Sequence, residues 1–421
     1  MDKRLEPGIV DIDSCLVLPP KKDPIDITGL VANITIYEDI MSPFLTGMIS
    51  VLDATALGEA LPLIGEELIF LEIKTPGFDG EPNYIRKGIF HLYKMESREN
   101  LKLKTAGYNL CFTSIEAVTD VNARISKTYN GKISDSVQSL ISSVPGLNAS
   151  KNAVVEATSN NEIHTSNFWT PTQNIYYLAG RALNEINNPS YVFFENNEGF
   201  VFASIDRLFQ LPEIQSFVRD SKMRDPEGPQ NLEEEYAKVL DMSVPTMYNY
   251  FERVQEGYYG SSVYHYDLVS KRLNFKNLVA FDMLKKAKLN QAPAATNNLQ
   301  FLPEAAMSLN VIHKDLYPGS PMLTIDHNNR RMALLKQVTT LTVNIRVFGR
   351  LDYSVGNTVY LTAYKDAAAD KQQTADADID EVITGKYLIT ALSHEITRQN
   401  HYTNLELSKD SLIKDINKAP Q

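Results

Sequence analysis

The chain has 421 residues, 43% of them hydrophobic and 22% charged. That balance excludes a disordered chain, and at roughly 150 residues per domain it implies about two to four domains. A formal net charge of -11 argues against gripping a phosphate backbone, and two cysteines, Cys15 and Cys111, with no CxxC pair argue against a disulfide scaffold. No stretch approaches about 18 apolar residues, and the start, MDKRLEPGIVDIDS, holds no apolar run long enough for a signal peptide. Neither a membrane span nor secretion is predicted.

The N-terminal stretch reads as β. Residues 29–37 alternate, with Leu30, Ala32, Ile34 and Ile36 on one face, and further strands are predicted over 44–52, 68–73, 84–95 and 106–115. Pro19-Pro20, Pro43, Pro62, Gly65 and the 76–82 loop separate them. Short strands at this spacing suggest a small barrel or sandwich.

The period then changes. Ser134 is placed to cap a helix in which Val137, Leu140, Ile141 and Val144 share a face, and Pro145-Gly146 ends it. Thr172 is the predicted cap of a longer helix whose stripe is Ile175, Leu178, Ala179, Ala182, Leu183 and Ile186, stopped at Asn187-Asn188-Pro189. Trp169, the single tryptophan, is expected to staple against that helix. A hairpin follows, with strands at 191–195 and 200–205 around a turn at 196–199. The charged stretch 220–235, with Pro226 and Pro229, reads as a linker. Beyond it a β-rich segment returns over 247–282, including a strand at 261–269; 285–298 is polar and loop-like. A helix is predicted over 326–338, and the last strands over 340–349, 357–364, 386–396 and 402–408.

The fold class predicted is mainly β with an α+β insertion: two related small antiparallel barrels and a helical/hairpin domain. The expected divisions are a first barrel (1–128), the insertion (129–230), a return segment completing the first barrel (231–255), a second barrel (256–410) with a loop and helix excursion at about 283–338, and a C-terminal tail (411–421).

The two β-rich ends repeat a pattern. Ile64-Gly65-Glu66-Glu67 turns into a strand, and so does Val355-Gly356-Asn357. Then come Arg86-Lys87-Gly88-Ile89-Phe90 and Thr384-Gly385-Lys386-Tyr387-Leu388. Each is followed by a charged turn (SRENLK; TRQNHY) and a last strand (AGYNLCF; YTNLELS). Two similar barrels per chain offer a way to build a near-sixfold ring from three chains.

This order of elements resembles the central baseplate hub protein of contractile-tailed bacteriophages, and is similar to the hub part of the spike protein of type VI secretion systems. The matching residues are Ser42-Pro43-Phe44-Leu45-Thr46-Gly47 and Leu61-Pro62-Leu63-Ile64-Gly65-Glu66-Glu67 in the first barrel, then 341–361 and 387–407 in the second. The resemblance implies a homotrimer in the tail baseplate of a virion, assembled in the host cytoplasm. The implied partners are a central spike protein, a tail tube or tube-initiator protein, a tape-measure protein and baseplate wedge proteins. DNA would cross the central channel without specific binding, which suits an acidic chain. Past Leu407 only SKDSLIKDINKAPQ remains, so the spike is expected to be a separate chain; 285–319 has no counterpart in this layout.

Motifs that carry chemistry fail on inspection. His394-Glu395 opens HExxH, but Arg398 stands where the second histidine belongs, His401 lies too far on, and the segment alternates as a strand. Asp376, Asp378 and Asp380 start like a calcium loop, but Glu381 replaces the turn glycine and Tyr387 the bidentate acid. Ser411-Leu412-Ile413-Lys414 matches SxxK with no companion element. No catalytic, cofactor-binding or metal-ligating residue is predicted, and no enzyme. Two other readings stay open: a peptidoglycan-degrading hydrolase, which needs a disposed acid pair or metal in a cleft, and a glycan- or receptor-binding tail protein, which needs exposed aromatics around one site.

Overall fold

The computed structural model describes residues 6–54, 63–77, 84–102, 105–219, 232–247, 249–255, 257–268, 270–279, 289, 292–293, 307–311, 327–338, 341–365 and 379–412. Seven strands come first: β1 (Asp11–Leu18), β2 (Ile25–Asp26), β3 (Val31–Asp39), β4 (Thr46–Asp53), β5 (Leu68–Lys74), β6 (Ile85–Lys102) and β7 (Thr105–Ser114). Their spatial order is β2-β1-β5-β6-β7-β4-β3. A flat sheet would hold β1 and β3, five steps apart, about 24 Å from each other. Yet Cys15 and Val17 of β1 share one core with Val31, Ile34 and Ile36 of β3, so the sheet curls. The gap between them is spanned by a single 3-10 turn, Thr28–Leu30, where the Thr28 hydroxyl accepts from the Cys15 N–H at 2.8 Å.

The insertion follows as α1 (Ile115–Asn122), β8 (Thr128–Lys132), α2 (Ile133–Ser142), β9 (Asn152–Val155), β10 (Asn161–Thr165), α3 (Pro171–Ala179), β11 (Tyr191–Asn196), β12 (Gly199–Ser204) and α4 (Ile205–Phe209). Its core joins Ile133, Val137 and Leu140 of α2, Ile175 and Leu178 of α3, and Phe193, Phe200 and Phe202 of the predicted hairpin. The helix caps differ from expectation. Ile133 opens α2 and the Ser134 N–H donates to Thr158 Oγ1, so Ser134 is inside the helix. Thr170 caps α3, with Gln173 completing a capping box and Pro171 in the first turn; Thr172 instead donates both its N–H and its hydroxyl to Asp120. The helix also stops at Ala179 rather than near Ile186. Side chains take over the backbone there: Asn160 accepts from the Leu183 N–H, and Asn184 from the N–H groups of Ile186 and Asn188.

The rest of the chain carries β13 (Glu213–Arg219), α5 (Leu232–Tyr236), β14 (Val239–Met247), α6 (Tyr250–Gln255), β15 (Gly260–Tyr266), β16 (Leu273–Val279), β17 (Ala292–Pro293), β18 (Met307–Val311), α7 (His327–Gln337), β19 (Leu341–Phe348), β20 (Thr358–Ala363), β21 (Gly385–Thr397), β22 (His401–Ser408) and β23 (Ser411–Leu412). Six of these order as β13-β20-β21-β22-β19-β14 around a second core that includes Phe217, Val343, Val359, Leu361, Leu388 and Leu407. The ends of this path meet through the bridge Val218↔Lys238, with the Val218 N–H donating to the Ala237 carbonyl.

The chain is therefore mainly β with an α+β insertion, as the residue pattern indicates. Closure is where it departs. Among the described residues neither strand set closes by a continuous ladder; each is joined at its gap by local contacts, and β3 pairs with β21 so that both sets belong to one 13-stranded sheet. Three divisions shift as well. Strands β15 and β16, expected in the second barrel, form a separate three-stranded sheet with β18. Strand β13 lies inside the stretch assigned to the insertion, yet pairs with β20. Strand β14, expected to complete the first barrel, pairs with β19 of the second, because its Met242 and Val244 pack on that core. The linker expected over 220–235 ends in helix α5, and the charged turn expected at 97–102 is strand. Most of 285–319 and residues 366–378 lie outside the described residues.

Candidate functional site

The feature that organises the molecule is the seam where β3 meets β21. Seven pairs run from Ala391↔Asp39 to Thr397↔Asn33. Apolar side chains cross it: Ile40 lies in the second core, while Ile396 and Leu351 lie in the first.

Glu38 stands near one end of the seam, facing Leu392. It continues the inward face of Ile34 and Ile36, and is 3% exposed. One carboxylate oxygen accepts from Arg86 Nη2 of β6 at 2.5 Å, the other from the Val355 N–H at 3.1 Å. One buried acid thus ties a strand of the first set to the loop that feeds β20. Burial pushes the Glu38 carboxyl above its ordinary range, against the opposing pull of Arg86. Arg86 Nε and Nη1 are buried without a hydrogen-bond partner, a desolvation cost that offsets part of what the ion pair contributes.

Behind the seam His394 and His401 lie side by side. His394 Nδ1 is 3.0 Å from His401 Nε2 and 3.1 Å from Thr403 Oγ1, and its Nε2 is 3.3 Å from the Tyr353 carbonyl. Burial, with the Arg86 charge second, holds both rings far below their usual proton affinity, His401 at about 3. Glu395, the acid of the failed HExxH, points the other way and pairs with Arg346 and Asn404. Alternation along the strand separates it from His394, as the period-two reading requires.

The insertion is fastened to the same place. Glu195, at the end of β11, accepts from the Leu45 N–H (3.0 Å), the Ser114 hydroxyl (2.6 Å) and Lys151 Nζ (2.6 Å), and Lys151 also reaches Glu116 at 2.7 Å. From the hairpin turn, Asn196 and Asn197 donate to the carbonyls of Val355 and Leu351. Arg350 closes the far side, with two hydrogen bonds to Asp352 and one to Gln215, under the rings of Tyr84, Tyr236 and Tyr353. Chemically the arrangement immobilises three bodies against one another.

Among the described residues no group of three or more His, Cys, Asp or Glu is placed to hold a metal. Asp380 accepts from the N–H groups of Val382 and Ile383 and shapes a turn; Asp376 and Asp378 lie outside the described residues, as does Lys414. The Ser411 hydroxyl donates to Asp410. Trp169 packs on α3 through Tyr177, with ring centroids 5.2 Å apart, and on His164, one turn beyond the staple position. No sequence motif flagged Glu38 or Glu195, and Arg86 entered only as the first residue of the repeated Arg86-Lys87-Gly88-Ile89-Phe90. The available signal was an acid on an otherwise apolar strand face, at Glu38 after Ile34 and Ile36, and at Glu195 after YVFF.

Comparison with known proteins places this architecture. Over 264 residues, 58% of each chain, it is 24% identical to the "Probable baseplate hub protein gp334" of Vibrio phage KVP40, so it spans less than two thirds of that relative's length. The 43 kDa tail protein of prophage MuSo2 from Shewanella oneidensis superposes with a TM-score of 0.57 at 7% identity, over 95% of this chain and 99% of that one. The tail protein from Neisseria meningitidis MC58 does so with 0.53 at 13% identity, over 94% and 96%. No protein-family model matches. The likeness to baseplate hub proteins read from the sequence recurs in the curated relative, and the fold is that of phage tail proteins.

Proposed function

We propose that this chain, similar to a phage baseplate hub protein and folded like phage tail proteins, is a structural, non-enzymatic subunit of a tail baseplate hub. Three copies form a pseudo-sixfold ring that joins a trimeric central spike to a hexameric tail tube or tube initiator. Tape-measure and wedge proteins contact the same ring, and DNA crosses its channel. The virion baseplate is its place, after assembly in the host cytoplasm.

One observation carries this reading: the two strand sets share one strand order and, in all but the first strand, one pattern of antiparallel pairing; β1 runs antiparallel to β5, whereas β13 runs parallel to β20. In chain order β1, β3, β4, β5, β6, β7 correspond to β13, β14, β19, β20, β21, β22, and the spatial orders match strand for strand. A row of partners crosses the first set as Tyr37, Thr46, Thr113, His91, Leu68, and the second as Thr246, Thr342, Ser408, Leu388, Thr358. Each set carries a ladder irregularity just past that row, between Leu92 and Lys94 and between Ile389 and Ala391. A glycine with φ near +90° precedes the equivalent strands, Gly65 (+89°) before β5 and Gly356 (+86°) before β20, where a side chain would be strained. A chain holding two copies of one unit presents six of them in a trimer, which is what a threefold-to-sixfold adaptor needs. The net charge of -11 suits a channel that DNA slides through.

Light scattering over a concentration series tests this. The expected particle has three times the mass of the chain, alone or once spike and tube proteins are added. A chain that stays monomeric with both present overturns the reading.

A further inference from the structure

The seam in this chain joins one strand set to the other, and the repeat says which edges are left to make the same seam again. β3 lies at the end of the first set and pairs by its outer edge with β21, beyond the point where β20 leaves it. The counterpart of β3 is β14, whose outer side meets β13 only at Lys238; no strand flanks Asp241–Val244 on that side among the described residues. The counterpart of β21 is β6, which β5 leaves at His91; past the irregularity no described strand lies beside Lys94–Ser97 on the β5 side.

We infer that β14 of one copy pairs antiparallel with the distal half of β6 of the next, repeating between copies the β3–β21 seam found within one. This deepens the ring reading and rests on it: alternating seams, one within and one between chains, close after three copies into a ring of six equivalent units. Such an interface is heterologous, with different surfaces on its two sides, as a closed ring requires. It also removes two exposed edges, each with a large apolar side chain in the open: Leu240, 43% exposed, on β14 and Tyr93, 51% exposed, at the irregularity of β6.

The register follows from the rows. Thr35, Met48, Cys111 and Lys94 line up across the first set as Ser243, Asn344, Glu406 and Ala391 do across the second, so Ser243 corresponds to Thr35. Within the chain Thr35 faces Glu395. Glu395 pairs with Tyr402, two places from the Ser393↔Asn404 pair; Glu99 pairs with Gly107, two places along β7 from Glu96↔Asn109. Glu99 is therefore the residue that Ser243 of the next copy should face.

The test is the full chain with Glu99→Cys and Ser243→Cys, both exposed positions, under a mild oxidant, beside each single variant. Facing residues of an antiparallel pair fall within disulfide reach. The double variant should give a covalent ladder that ends at three chains, and neither single variant should. In the unaltered protein, the amides of 94–97 and 241–244 should exchange roughly tenfold more slowly in the assembled state than at dilutions where it is monomeric. Slowed exchange sustains the inference even where the cysteines fail to cross-link. A trimer with neither ladder nor slowed exchange overturns the pairing and leaves the ring reading intact. A chain that never assembles overturns both.

Discussion

Arg86 and Glu38 form a pair whose worth depends on both members being present. Each is 3% exposed, and removing one leaves the other charge buried with no counter-ion. Arg86→Met should cost about 3–5 kcal/mol in urea unfolding, whereas adding Glu38→Leu should recover most of that loss, since an apolar replacement of a whole buried pair is often near neutral. A double variant as unstable as the single would mean that Glu38 acts chiefly through the Val355 N–H.

The histidines set a second expectation at this scale. In the unfolded chain His401 takes up a proton near pH 6.5; folded, it resists until about pH 3. Between those values the unfolded state binds more protons, so stability falls as pH falls through that window, by about 1.4 kcal/mol per pH unit for one such group. His394 works in the same direction. Glu38 has the opposite sign: with its carboxyl raised, the stability it contributes is lost as pH rises through the folded value. His401→Asn should flatten the acid limb of a stability-against-pH curve by about one proton. An unchanged slope would show that His401 is not what makes the fold acid-sensitive.

Among the elements, the hairpin β11–β12 was fully legible, because a near-continuous apolar run, a polar turn with Gly199 and a second apolar run specify it locally. What it does was not. Gly199 sits at φ +132°, and a Cβ there would come within 2.2 Å of the Asn152 carbonyl oxygen of β9. Gly131, at φ +133°, faces open space. The backbone strain is similar at the two, so the difference isolates the clash with β9. Gly199→Ala should lower the thermal midpoint well beyond Gly131→Ala, by about 2 kcal/mol or more in stability; equal losses would show that β9 yields freely. That α3 is shorter than its periodicity predicts has an equally local cause. Its apolar stripe does continue toward Ile186, but Asn160 and Asn184 lie in register to capture the backbone N–H groups, and periodicity carries no trace of that capture.

At the level of the whole molecule, alternation and glycine punctuation along the chain were enough to locate most strands, the insertion and the repeat, because strand periodicity and turn chemistry are local properties written every few residues. The resemblance to a hub followed from their order. Three things were decided only by the tertiary structure. Strand β14 went to the second set because β19 offered it a ladder and a core, a choice that residues 231–255 cannot express by themselves. The seam formed because β3 and β21, more than 350 residues apart in sequence, each present a free edge of matching length. And Glu38, Arg86 and Glu195, unremarkable as single letters, became the fastening of three bodies only where folding removed them from water together. Pairing between distant edges and the desolvation of charges both depend on what lies across the fold, and that information is absent from any local window of sequence.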